Sequence, residues 1–174
     1  MKNVLQSLSV LLLLALPACT FKPLYGSLTP DGRPSIGSNL SSIEIAPISG
    51  RTGIELRNEL IFVFTGGGQP VTNGRYRLDI ALQENVTQSQ YEQVSGRATA
   101  GLQYTAANYV LTDKATNKKV YQSRSFARTT FDEDIQRFAS IRAQRNAEDR
   151  AMKVLAQEIR NSLASYFAQA DQQK

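Results

Sequence analysis

Cys19 is the one residue whose type and setting suggest covalent chemistry, because a thiol can be alkylated and no other thiol exists in the sequence. A lone Cys forms no intramolecular disulfide and no Cys-cluster zinc site. The sequence also lacks His, which removes His-based triads, His general bases and His metal ligands. A Lys, Asp, Glu or Tyr mechanism would need a motif of its own, and none stands out. Asp132-Glu133-Asp134 is better explained as negative charge at a helix start. Gly66-Gly67-Gly68 lacks the Lys-Ser/Thr of a phosphate-cradling loop and follows a helical pattern rather than a strand, so it reads as a helix C-cap and loop.

The residues before Cys19 define its chemistry. Lys2 gives a short positive start, Val4 to Leu16 is mostly apolar, and Leu16-Pro17-Ala18 precede the Cys. An apolar run this short, closed by a small residue, reads as a secretory signal over residues 1–18 rather than a membrane span. Leu at −3, Ala at −1 and Cys at +1 resemble a bacterial lipobox; Pro17 at −2 is the departure. The pattern implies a diacylglycerol on the Cys19 sulfur, cleavage before it and acylation of the new amine. Two or three acyl chains make a stable anchor, at about 0.8 kcal/mol for each buried CH₂. Thr20 in place of an Asp favours export to the outer membrane.

Length and composition bound the remainder. A chain of 174 residues with 41% hydrophobic and 20% charged residues suits one folded domain with a tail. A net charge of +5 reads either as simple solubility or as attraction to anionic groups.

The elements follow from periodicity. Residues 19–40 read as the lipidated Cys and a tether, because Pro23, Pro30, Pro34, Gly26, Gly32 and Gly37 block regular structure. The stretch from 41 to 48 alternates Ile43, Ile45 and Pro47 with more polar neighbours, as a strand does. Leu56, Leu60, Val63 and Phe64 share one helix face. Tyr76, Leu78, Ile80 and Leu82 form the clearest half-buried strand; residues 85–96 read as an exposed loop or strand extension. Residues 97–111 and 120–130 predict a hairpin around a turn at 112–119. A final helix starts near the acidic triplet, with Ile135, Phe138, Ala139, Ala151, Val154, Leu155, Ile159, Leu163 and Tyr166 as its apolar stripe, and residues 171–174 as a frayed tail. The predicted fold is α+β: one domain over 41–170, order β-α-β-β-β-α, with two helices on one face of a four-stranded mixed sheet. The other face is then free for a partner or ligand.

Cys-Thr-Phe-Lys-Pro-Leu-Tyr-Gly from Cys19, the strand Ile43 to Ile48, the helix carrying Glu55-Leu56-Arg57-Asn58-Glu59-Leu60, the strand opening Tyr76-Arg77-Leu78 and the closing helix with Asp149-Arg150-Ala151 together resemble the LptE family, in its alphaproteobacterial branch. The resemblance covers nearly all of the mature chain and rests on the ordered set of segments. It implies a lipid-anchored protein on the periplasmic face of the outer membrane, with no cofactor and no catalysis. It also implies an LptD-type β-barrel partner that the protein plugs while helping to assemble lipopolysaccharide. A plug needs a polar exterior, and Gln83, Asn85, Thr87, Gln88, Ser89, Gln90 and Gln93 would suit that role or an ordinary solvated loop. Lipopolysaccharide carries phosphates, which makes Arg97, Lys118, Lys119, Arg124 and Arg128 candidate lipopolysaccharide or partner contacts; each also reads as a solvated surface charge. Other classes fit less well. An accessory lipoprotein of another envelope lipid-transport system of the ABC type would share the anchor and the domain size. A hydrolase would need paired carboxylates in a pocket. A nucleic-acid partner is opposed by the signal.

Overall fold

The computed structural model describes residues 36–93, 96 and 98–172. Their order is α1 (Ile36–Leu40), β1 (Ile43–Ile45), α2 (Arg51–Thr65), β2 (Tyr76–Tyr91), β3 (Ala98–Asp113), β4 (Lys118–Asp132) and α3 (Arg137–Gln172). This is a mixed α+β arrangement, as the sequence predicts, with a further helix ahead of β1. Strands lie in chain order, β1 parallel to β2 and the remaining pairs antiparallel.

Two expectations are corrected and one open alternative is decided. The Pro and Gly content predicts no regular element before Leu40, yet α1 makes a single helical turn there. Ser41 N donates to Gly37 O, and Leu40 is buried in the core. Residues 85–91 take the strand extension that the sequence allowed beside a loop: they continue β2, paired with β3 as far as Tyr91–Ala98 and with register shifts between Gln88 and Tyr91. The final helix begins at Arg137, after the acidic triplet; Asp134 Oδ1 accepts from Gln136 N just before it. Ile135 and Phe138 stand 76% and 85% exposed, and Val154 46%, so none of them belongs to the buried stripe.

That stripe runs Ala147, Ala151, Met152, Leu155, Ala156, Ile159, Leu163, Ala164 and Phe167, at three- and four-residue steps along one helix face. α3 packs on β3, β4 and α2, and α2 also meets β1. The helix side of the sheet changes character along its length. At one end Tyr76, Leu78, Tyr109 and Leu111 meet the C-terminal part of α3, with Tyr76–Phe167 centroids 5.2 Å apart and Tyr121 Oη 2.8 Å from Ser162 Oγ. Towards the other end the strands offer Gln103, Thr105, Ala127 and Thr129, and Thr129 Oγ1 donates to Ala147 O. There Phe131 lies over Gly101, where an added Cβ would come within 2.2 Å of the ring.

Two polar ties fix the helices. Arg51, at the start of α2, pairs with Asp149 at 2.7 Å and with Glu148, which holds the guanidinium pKa above its ordinary value. Gly53 packs where an added Cβ would meet Ile48 backbone at 2.9 Å, so the segment joining β1 to α2 folds closely onto the first turn of α2.

Leu56, Leu60 and Phe64 are buried, as their spacing predicts, and Leu60 is fully enclosed. Leu60→Ala is expected to destabilise the domain by roughly 2–5 kcal/mol. Phe138→Ala should change stability by less than about 0.5 kcal/mol, because its ring is already in solvent. Chemical denaturation of the two purified variants checks the contrast.

Candidate partner and anion-binding surface

Neither Cys19 nor Arg97 belongs to the described residues. The other four candidates separate into two groups, both on β4. Lys118 and Lys119 begin the strand, in register with Asp113 and Thr112, and both are exposed. Arg124 and Arg128 lie further on, opposite Asn108 and Tyr104. The nearest members, Lys119 and Arg124, are five strand residues or about 16 Å apart, too far for the two groups to grip one small anion.

The lysine group sits on a turn built by Asp113. Its carboxylate accepts from Ala115 N at 2.9 Å and from Thr116 N at 3.4 Å, a local Asx arrangement, and from Arg75 Nη2 at 3.3 Å. Asn117 takes the left-handed conformation that closes the turn, with φ of 53°. Lys114 reaches across to Glu44 of β1 at 2.7 Å, which ties the turn to the far edge of the sheet. Desolvation works against ionisation of Asp113, but the two backbone donors and Arg75 outweigh it and hold the carboxyl below its ordinary value. The same region raises the Tyr166 phenol, through burial first and the Asp113 charge second.

The arginine group lies on the sheet face that none of the described helices covers. Alternation assigns Arg77, Asp79, Ala81, Gln83, Asn85 and Thr87 of β2 to that face, with Leu102, Tyr104, Ala106, Asn108 and Val110 of β3 and Gln122, Arg124, Phe126, Arg128 and Thr130 of β4. Phe126 is 55% exposed and stacks on Tyr104 with centroids 6.2 Å apart. The Arg128 guanidinium carbon stands 5.7 Å from the Tyr104 centroid and 5.5 Å from that of Phe126. Beneath the ring, the cross-strand neighbour Ala106 is completely buried.

Sequence reasoning overlooked Tyr104 and Phe126. The spacing of Arg124, Phe126 and Arg128 at every second residue was a visible signal for one face of a strand. Tyr104 joins them only through the β3–β4 register. Of the polar run after Leu82, Gln83, Asn85 and Thr87 share this open face, while Gln88 pairs with Gly101 and belongs to the opposite one. Gln93 lies in the hairpin turn beyond β2.

Comparison with known proteins gives a family-scale match. Residues 40–163 match the family model LptE, described as lipopolysaccharide-assembly. Among curated proteins no sequence matches. Among solved structures, a lipoprotein from Caulobacter crescentus is 28% identical, covering 76% of this chain and 96% of its own, with a TM-score of 0.62. Rare lipoprotein B from Shewanella oneidensis is 11% identical over 74% of this chain and 96% of its own, with a TM-score of 0.55. Lipoprotein B from Nitrosomonas europaea is 17% identical over 72% of this chain and 83% of its own, with a TM-score of 0.51. The last two share the fold.

The depressed Asp113 carboxyl has a pH consequence. A group whose folded pKa is lowered stabilises the fold above its unfolded pKa, about 4, and that contribution is lost as pH falls through the lower folded value. Asp113→Asn keeps an oxygen for the two backbone donors and removes the charge. It should melt below the wild type at neutral pH, and the two midpoints should converge as the pH is lowered below about 4. Thermal melts of both proteins across that range check it.

Proposed function

Because the chain belongs to the LptE lipopolysaccharide-assembly family, we propose that it works as an outer-membrane lipoprotein, anchored through acylated Cys19, whose domain seats as the plug of an LptD-type β-barrel. It assists the placing of lipopolysaccharide there and performs no catalysis. The match over residues 40–163 carries this reading, because it runs through all four strands and most of α3. The open sheet face supports it: Gln83, Asn85, Thr87, Gln122 and Thr130 present hydrogen-bonding groups rather than a continuous apolar surface, as a polar lumen wall requires. Signal cleavage before Cys19 frees the amine for acylation, and residues 20–35 join the anchor to α1. Lys118 and Lys119 are the point charges offered to lipopolysaccharide phosphates, on a turn stiffened by Asp113.

Depletion of the protein should lower mature barrel and surface lipopolysaccharide together. Barrel assembly and surface lipopolysaccharide that both stay normal would sink the reading and favour an accessory role in another lipid-transport system. Cys19→Ser should abolish incorporation of labelled fatty acid while the folded domain still binds the barrel, since that contact is made by the globular body. Metabolic labelling and barrel co-purification read the two effects separately.

A further inference from the structure

We propose that the open face of the sheet, centred on Arg124, Phe126 and Arg128, docks against a carboxylate-bearing protein surface. Resting on the function proposed above, that surface is the barrel's inner wall. The observations concern charge first. Among the described residues no carboxylate pairs with Arg124 or Arg128. The acids on the same face are Glu44 of β1, held by Lys114 at 2.7 Å, Asp79, held by Arg77 at 3.0 Å, and Asp132 at the end of β4, four residues beyond Arg128. The middle of this face therefore carries two exposed cations about 13 Å apart and no neutralising acid.

The second observation is how Arg128 is held. Its guanidinium carbon lies within cation–π range of both the Tyr104 and Phe126 rings, which keeps the charge beside them. An arginine there offers a fork of N–H donors that can bind a carboxylate bidentately, and the partly exposed rings beside it favour a protein surface as the bearer of that carboxylate. Partly exposed aromatic side chains together with Arg are the composition of protein-interface centres, where a few such residues carry most of the binding energy. The lysines at the β3–β4 turn differ: they are flexible point charges, and the nearer one, Lys119, stands about 16 Å from Arg124. The exposed rings therefore assign the arginines to a protein partner, while the lysines, without rings, stay point charges suited to phosphate. Phe126 supplies the apolar contact between the two arginines, and its partly exposed ring is the surface that docking removes from water.

The test uses the full-length lipoprotein co-expressed with the LptD-type barrel from the same source and purified in detergent. Arg124→Glu with Arg128→Glu should reduce recovered barrel at least tenfold, while Lys118→Glu with Lys119→Glu leaves it within twofold. Arg124→Lys with Arg128→Lys keeps the charge and loses the fork, and should fall between them. Both arginines are exposed, so the reversed variant should melt within a few degrees of wild type. In an otherwise wild-type chain, p-benzoylphenylalanine at position 126 should crosslink to the barrel, which tests the face without any change of charge. Wild-type recovery of barrel by the reversed arginine variant overturns the assignment. So do crosslinks from position 126 that run to lipopolysaccharide alone, which would make the patch an anionic-lipid site. If the wild-type protein itself recovers no barrel, the proposed complex falls, and this assignment with it.

Discussion

The arrangement depends on one contact: the buried stripe of α3 lying across β3 and β4. At 36 residues the helix is about 54 Å long, enough to run the length of strands of 15 and 16 residues. Alanines at 147, 151, 156 and 164 alternate with larger side chains along the stripe, so the helix axis comes close to the sheet while Leu155, Ile159 and Leu163 fill the gaps. α2 has no comparable seat on the sheet. It packs mainly on α3 and reaches the sheet through the short strand β1, tied by Arg51 to Asp149 and by Arg57 Nε to Ile45 O at 3.3 Å. Loosening α3 would therefore release α2 as well as β4. Arg150 adds one more clasp by donating to Thr130 O at 2.7 Å, which satisfies a carbonyl on the outer edge of β4.

Placing every helix on one side leaves the other side of the sheet to its own side chains. Ala106 is buried there by its neighbours alone, and Phe126 spreads over the surface instead of entering a core. The basic side chains of β4 also discourage pairing of that edge with a second copy, since like charges would face one another. Under the docking proposed above, the same charges would meet a partner of opposite sign, so one set of residues would serve both purposes.

How much of this could be read from the residues depends on how many faces of each element are covered. Leu56, Leu60 and Phe64, and Tyr76 with Leu78, meet a packed layer on one side and water on the other, so their periodicity showed in the sequence. The stretch from Glu84 to Tyr91 is exposed wherever its side chains are described, and without apolar contrast a strand looks like a loop. Ile135 and Phe138 misled for the opposite reason. They are apolar and lie in sequence just before the stripe, but they precede the part of α3 that meets the sheet. The basic candidates were visible as residue types. Their division into a turn group and a face group needed the register, and the link between Arg128 and Tyr104 crosses 24 positions of sequence that no local pattern connects.

The exposed half of β2 bears on the partner. Beyond Leu82 the strand has β3 on one side and, among the described residues, no further strand on the other, since β1 pairs only with Tyr76 to Leu78. Backbone hydrogen bonds to a single neighbour give a hairpin little stability in water. Phe131 over Gly101, and α3 over Gln103 and Thr105, brace β3 in this region but leave β2 bare. A polar two-stranded extension of this kind gains most from a surrounding wall that supplies hydrogen-bond partners to Gln83, Asn85 and Thr87 and excludes water from the ladder. An enclosing partner fits that requirement better than a lipid surface, because only a wall with fixed donors and acceptors can satisfy a row of amides and hydroxyls at once. The bare strand and the unpaired arginines thus point to the same side of the molecule and to the same kind of neighbour.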